Sequence, residues 1–160
     1  MNPDLDLSIH RIIRAPRKAV WEAWTDPANL AQWWIPSPML CRVERLEVRP
    51  GGAFVTQLSD DDGLTFVPHM DACFLVVDEF ERMVLTNAVD STWRPASPAP
   101  IAMTADVSMR DHAEGTDYRI VARHADPAAR DKHAELGFAE GWGTVADQLA
   151  SFAAARTDQT

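Results

Sequence analysis

The sequence predicts an α+β fold in which one curved antiparallel sheet wraps a long C-terminal helix, with two short helices after the first strand. Three observations carry this. Odd positions from Leu5 to Ile13 are mostly apolar, the period of two that marks a strand with one buried face. From Arg42 to Arg123 short runs rich in strand formers alternate with turn signals such as Pro50-Gly51-Gly52. Near the end, Phe138, Trp142, Val145, Leu149 and Phe152 recur at helical spacing and define one stripe.

Between these anchors each element has its own signal. Pro16 sits where a helix can begin, and Val20, Trp21 and Trp24 make it amphipathic. Asp26-Pro27 is an N-cap followed by Pro at the first helical position. Leu30, Trp33 and Trp34 then supply the apolar face of a second short helix, closed by Pro36 and Pro38. Strands are expected over Arg42 to Val48, Ala53 to Leu58, Leu64 to Val77 and Met83 to Val89, joined as antiparallel hairpins. A Pro-rich loop from Arg94 to Pro100 intervenes before a last hairpin, Met103 to Met109 and Thr116 to Arg123.

Asp126-Pro127 repeats the cap signal and opens what reads as one long helix. Gly137, Gly141 and Gly143 each cost that helix about 1 kcal/mol relative to Ala, so a large neighbour close to the backbone, or a bend, is expected there. Past Arg156 the polar tail is expected to fray. A curved sheet has one concave face, and a helix with one apolar stripe covers it; this helix-grip arrangement accounts for residues 1–160 as one domain.

The bulk properties restrict function. The formal net charge is −9, with Arg and Lys scattered, so no basic footprint exists for nucleic acid or an anionic membrane. Neither a signal peptide nor a stretch of membrane-spanning length is present. Cys41 and Cys73 are far apart and outside any C-x-x-C arrangement, which suits buried apolar filler in a reducing cytoplasm. Self-association as a homodimer stays open.

Several strings in this order resemble a known family. RIIRAPRKAVWEAWTDPANLAQWW, with Ala15, Pro16, Val20, Trp21, Asp26, Pro27, Leu30, Trp33 and Trp34, is similar to the opening of the START-like SRPBCC superfamily. Within it, the resemblance is to the family named for the activator of the heat-shock protein 90 ATPase. VVDEFERMVLT resembles its central hairpin, although Asp78-Glu79-Phe80-Glu81-Arg82 stands where the family's turn usually contains Pro. GFAEGWGTVADQL resembles its closing helix through Gly141, Trp142, Val145 and Leu149. The resemblance implies the helix-grip fold with an apolar cavity between sheet and helix. Because the family is functionally diverse, it implies no single activity.

The candidate ligand-binding set is Trp34, Phe54, Phe66, His69, Met70, Phe74, Trp93, Met103, Phe138 and Trp142, all except His69 on positions expected to face inward. Trp and Met offer large polarisable surfaces, and Trp keeps an N–H donor to orient a polar group. A packed core accounts for any one of them equally well; the resemblance favours a cavity lined by the set, holding a small apolar or aromatic molecule. His69 lies in an otherwise apolar strand beside Pro68 and Met70. Alternation sends it to the convex face, and a bulge at Pro68 would reverse that.

No catalytic motif, metal-ligand spacing or cofactor-binding loop is present: His10, His112, His124 and His133 form no recognisable ligand pattern. Asp60-Asp61-Asp62 lacks the alternating oxygen ligands of a calcium loop. Two other readings stand beside ligand binding, the first suggested by the family's name and the second by a titratable group inside an apolar strand. One is a co-chaperone-like protein-interaction module; the other is a cofactor-free, polyketide-cyclase-like enzyme using His69, Asp71 or Asp106 as acid or base. Trp142 is expected to be buried between Phe138 and Val145.

Overall fold

In a computed structural model, which describes residues 1–158, the chain forms seven strands and four helices. They run β1 (Asp6–Ile13), α1 (Arg17–Thr25), α2 (Pro27–Leu30), β2 (Leu40–Leu46), β3 (Ala53–Ser59), β4 (Val67–Asp78), β5 (Arg82–Thr86), β6 (Thr104–His112), β7 (Gly115–Arg123), α3 (Pro127–Glu135) and α4 (Phe138–Asp158). All strands pair antiparallel in one sheet of order β1-β7-β6-β5-β4-β3-β2. The first strand thus returns beside the last, and α4 packs against β1 and α1.

Strand alternation decides what the inner face holds. Ile9 and Ile13 of β1, Ala105, Val107 and Met109 of β6, and Tyr118, Ile120 and Ala122 of β7 are all buried. They meet the buried stripe of α4, which is Phe138, Val145, Ala146, Leu149 and Ala153. Trp142 and Phe152 lie on the flanks of that stripe and are half-buried, which corrects the expectation of a fully buried Trp142. Arg11 also belongs to the inner parity of β1, at the sheet edge, and its Nε donates to Asp147 of α4 at 2.8 Å. Gly143 makes room for that guanidinium, since a Cβ there would lie 3.2 Å from it.

Two elements differ from the sequence expectation. The C-terminal segment is two helices: the Asp126 carboxylate caps α3 by accepting the Ala129 N–H at 2.8 Å, and Gly137, at φ +91, breaks the path before α4 begins. A left-handed φ costs Gly little and other residues about 1–2 kcal/mol, so the residue noted for its poor helix propensity is the stop itself. The second difference is that α2 ends at Leu30, capped by Asp26, leaving Trp33 and Trp34 in a turn. Gln148 of α4 holds that turn, donating to the carbonyls of Trp33 (2.8 Å) and Ile35 (3.0 Å) while accepting the Ser37 N–H (2.8 Å). Beyond Arg156, α4 continues to Asp158; the remainder of the expected frayed tail lies outside the described residues.

The opposite sheet face carries an ionic cluster. Asp106 alternates with the inward Ala105 and Val107, is 9% exposed, and accepts from Arg82 Nε and Nη2 (both 2.9 Å) and Arg123 Nη1 (2.8 Å). The Arg82 hydrogen bonds, with help from Arg123 and against burial, hold its carboxyl below the usual range. A depressed folded-state value contributes stability present above the unfolded carboxyl pKa, near 3.9, and lost as pH falls through the folded value. Asp106→Asn is therefore expected to cost about 1.5–3 kcal/mol at neutral pH, the range for hydrogen bonds to charged groups. It should also flatten the acid limb of stability against pH. An unchanged acid limb in urea titrations from pH 6 to 2 would remove Asp106 from the account.

Candidate functional site

A cavity of about 260 Å³ opens between the start of β4, the Trp34-to-Pro36 turn, the loop residues Ala99 to Ile101, and helices α3 and α4. Its lining brings together five residues of the candidate set: Trp34, His69, Met70, Met103 and Trp142. Trp34 and Trp142 meet edge to face with ring centroids 5.7 Å apart. Two adjacent strand residues, His69 and Met70, line the same cavity because β4 bulges there. Met70 pairs with Thr56 and Pro68 with the next residue, Gln57, so His69 is the extra residue and turns inward. Its Nδ1 lies 3.0 Å from the Thr56 hydroxyl and its ring 6.2 Å from that of Trp34. The residue as a whole is exposed, yet protein surrounds enough of the imidazole that burial lowers its pKa.

The other five lie elsewhere. Phe54 and Phe74 are core residues behind the wall, fully buried with ring centroids 5.9 Å apart. Phe138 is buried under Trp142, at 5.8 Å. Phe66 precedes β4 and lies under the Arg42 guanidinium at 3.9 Å, because the strand begins at Val67 rather than Leu64. Trp93 is 66% exposed, in the left-handed region at φ +67, and its indole N–H donates to the Gly51 carbonyl at 2.7 Å. It anchors a surface loop and does not approach α4.

Sequence reasoning missed several lining residues. Asn87 pins the Pro-rich loop to the cavity edge, accepting the Met103 N–H at 2.8 Å and donating to the Ile101 carbonyl at 3.2 Å. Gly141 was expected to mark close packing, but a Cβ there would meet nothing within 4 Å; its missing side chain leaves cavity space. His133 reaches the cavity from α3, the helix that sequence analysis merged with α4. Of the carboxylates considered as acid or base, Asp71 is exposed and accepts the Ser91 N–H at 2.8 Å, while Asp106 is on the other sheet face. Neither lines the cavity; among the described residues its titratable groups are His69 and His133.

A seven-stranded sheet gripping a C-terminal helix, with short helices after β1 and a cavity between, defines a START-like SRPBCC domain. Residues 14–154 match the family described as Activator of Hsp90 ATPase homolog 1-like protein, and the chain belongs to that family. The crystal structure of a protein from Nitrosomonas europaea is similar over 99% of both chains, with 35% identity and a TM-score of 0.85. At lower identity the same fold recurs in a protein from Arthrobacter aurescens (23%, 95% of this chain and 87% of that one, TM-score 0.79). It recurs also in an AHSA1-like protein from Aeromonas hydrophila (21%, 95% and 94%, TM-score 0.69). No curated protein matches the chain. Among the described residues no helix is long and apolar enough to cross a membrane.

Proposed function

We propose that the protein binds a small apolar or aromatic molecule in this cavity. The observation that carries the reading is the convergence of Trp34, Met70, Met103 and Trp142 on one concave space with His69, Asn87 and His133 at its edge. Apolar walls with a few placed polar groups are the usual make-up of a ligand site. A dry cavity of about 150 Å³ holds benzene, so roughly 260 Å³ suits one or two fused rings. Cys41 and Cys73 are both free thiols, which fits a reducing compartment such as the cytoplasm, and burial raises the Cys41 pKa to about 11, making that thiol unreactive.

The test is tryptophan fluorescence and thermal shift against lipids, polyketides and aromatic compounds. A ligand at 100 times its Kd is expected to stabilise the fold by about 2.7 kcal/mol. Trp142→Ala separates wall from core: half-buried at the cavity, the ring should contribute only about 1–2 kcal/mol to stability. Ligand affinity is expected to fall about tenfold, or 1.4 kcal/mol. No shift across a broad panel, or a Trp142→Ala variant that loses 3–5 kcal/mol of stability with affinity unchanged, would count against the reading.

A further inference from the structure

Behind the cavity two buried histidines form a directed chain. The Leu5 carbonyl accepts the main-chain N–H of His124 at 3.1 Å and lies 2.9 Å from its ring Nδ1. A carbonyl oxygen can only accept, so His124 carries its proton on Nδ1, and in the neutral ring Nε2 is a lone pair. That lone pair sits 2.8 Å from His133 Nδ1, which must then be the donor. The remaining nitrogen, His133 Nε2, is left as an acceptor with no protein hydrogen bond among the described residues.

His133 lines the cavity, and its orientation is fixed by ring contacts with His124 and Phe138, each with centroids 5.0 Å apart. Of the other polar groups in the lining, the Trp34 Nε1–H is a buried donor with no protein partner among the described residues, opposite in kind to this acceptor. The side-chain oxygen and nitrogen of Asn87 are both occupied, and His69 is tied through Nδ1 to a hydroxyl that can rotate to suit either tautomer. Burial, reinforced by His124, pushes the His133 pKa down to about 4, so the ring is neutral across the neutral range.

We propose that the Leu5–His124–His133 chain presents His133 Nε2 to the cavity as a fixed hydrogen-bond acceptor, selecting apolar ligands that carry a hydroxyl of phenol or enol type. This rests on the cavity-binding reading and names its ligand class. An ether or ketone in the same pose sets acceptor against acceptor and leaves the nitrogen unpaired once the ligand covers it, a penalty large enough to separate otherwise similar ligands.

The experiment compares 1-naphthol, 1-methoxynaphthalene and naphthalene by fluorescence titration, with 15N NMR of the histidine side chains. Expected is naphthol binding about tenfold or more tighter than methoxynaphthalene, with the preference lost in His133→Phe, which keeps a flat ring beside Phe138. The free protein should show His133 as the neutral Nδ1–H tautomer. Naphthol and methoxynaphthalene binding within about twofold of each other overturns the selection while leaving the cavity reading in place. Binding by none of the three overturns the selection too, and silence across the broader panel takes the cavity reading with it. If His133→Phe does not fold, the wild-type ranking and the tautomer decide, and an Nε2–H tautomer on His133 overturns the proposal.

Discussion

Trp24→Ala is expected to destabilise the fold by about 3–5 kcal/mol, the range for truncating a large buried aromatic. Trp24 is 1% exposed on α1, with its ring 5.0 Å from Trp33, 5.2 Å from Trp34 and 6.2 Å from Phe54. Its Nε1 donates to the hydroxyl of Tyr118 at 3.2 Å, and Tyr118 is fully buried on β7, where burial raises its pKa. Truncation therefore opens a cavity and strips a buried hydroxyl of its donor. Trp24→Phe keeps most of the apolar volume and leaves the buried Tyr118 hydroxyl without its donor, at about 1–3 kcal/mol. The loss should be accompanied by weaker ligand binding, because Trp24 supports Trp34 from behind. Urea unfolding of both variants checks this, and a Trp24→Ala loss below about 1 kcal/mol would mean the aromatic cluster does not hold α1 to the sheet.

The fold was legible where periodicity is strong. β1 shows it in Ile9 and Ile13, and α4 in Phe138, Val145 and Leu149, because each repeats long enough for one face to stand out. Its failures are local. The helix break at Gly137 was visible as poor propensity, but propensity does not distinguish a strained helix residue from a left-handed stop. The Trp33-Trp34 turn has the apolar spacing of a helix, because a four-residue helix plus a turn repeats alike; a side chain far along the chain, Gln148, holds the turn shape.

The candidate site was harder to read, since whether an inward aromatic lines a cavity or fills a core depends on tertiary contacts. Phe54 and Trp34 lie 5.2 Å apart ring to ring, yet only Trp34 borders the open space. His69 needed the bulge at Pro68, and a one-residue register shift leaves no mark in hydropathy beyond the Pro itself. His124 and His133 carried no signal, because their pairing closes through a helix whose existence depended on the unread break at Gly137.

Gly52→Ala is expected to cost about 2–4 kcal/mol, although the turn Pro50-Gly51-Gly52 offers two glycines and only one has an unusual φ. Gly51 is left-handed, at φ +79, so alanine there should cost about 1–2 kcal/mol. Gly52 is constrained by space: a Cβ would lie 1.9 Å from the Glu47 carbonyl oxygen and 2.9 Å from that of Arg49, both backbone atoms. Those carbonyls are themselves engaged, accepting the N–H groups of Arg49 (2.9 Å) and Gly52 (2.8 Å), so neither can move without opening the turn. Opening it also loosens the Phe74 N–H to Gly52 carbonyl bond (2.9 Å) and the Gly51 N–H to Phe74 carbonyl bond (2.7 Å), which set Phe74 against Phe54 in the core. The comparison of the two alanine variants by urea unfolding is decisive. If Gly52→Ala proves no more costly than Gly51→Ala, the close approach of the Glu47 carbonyl is not what demands glycine there.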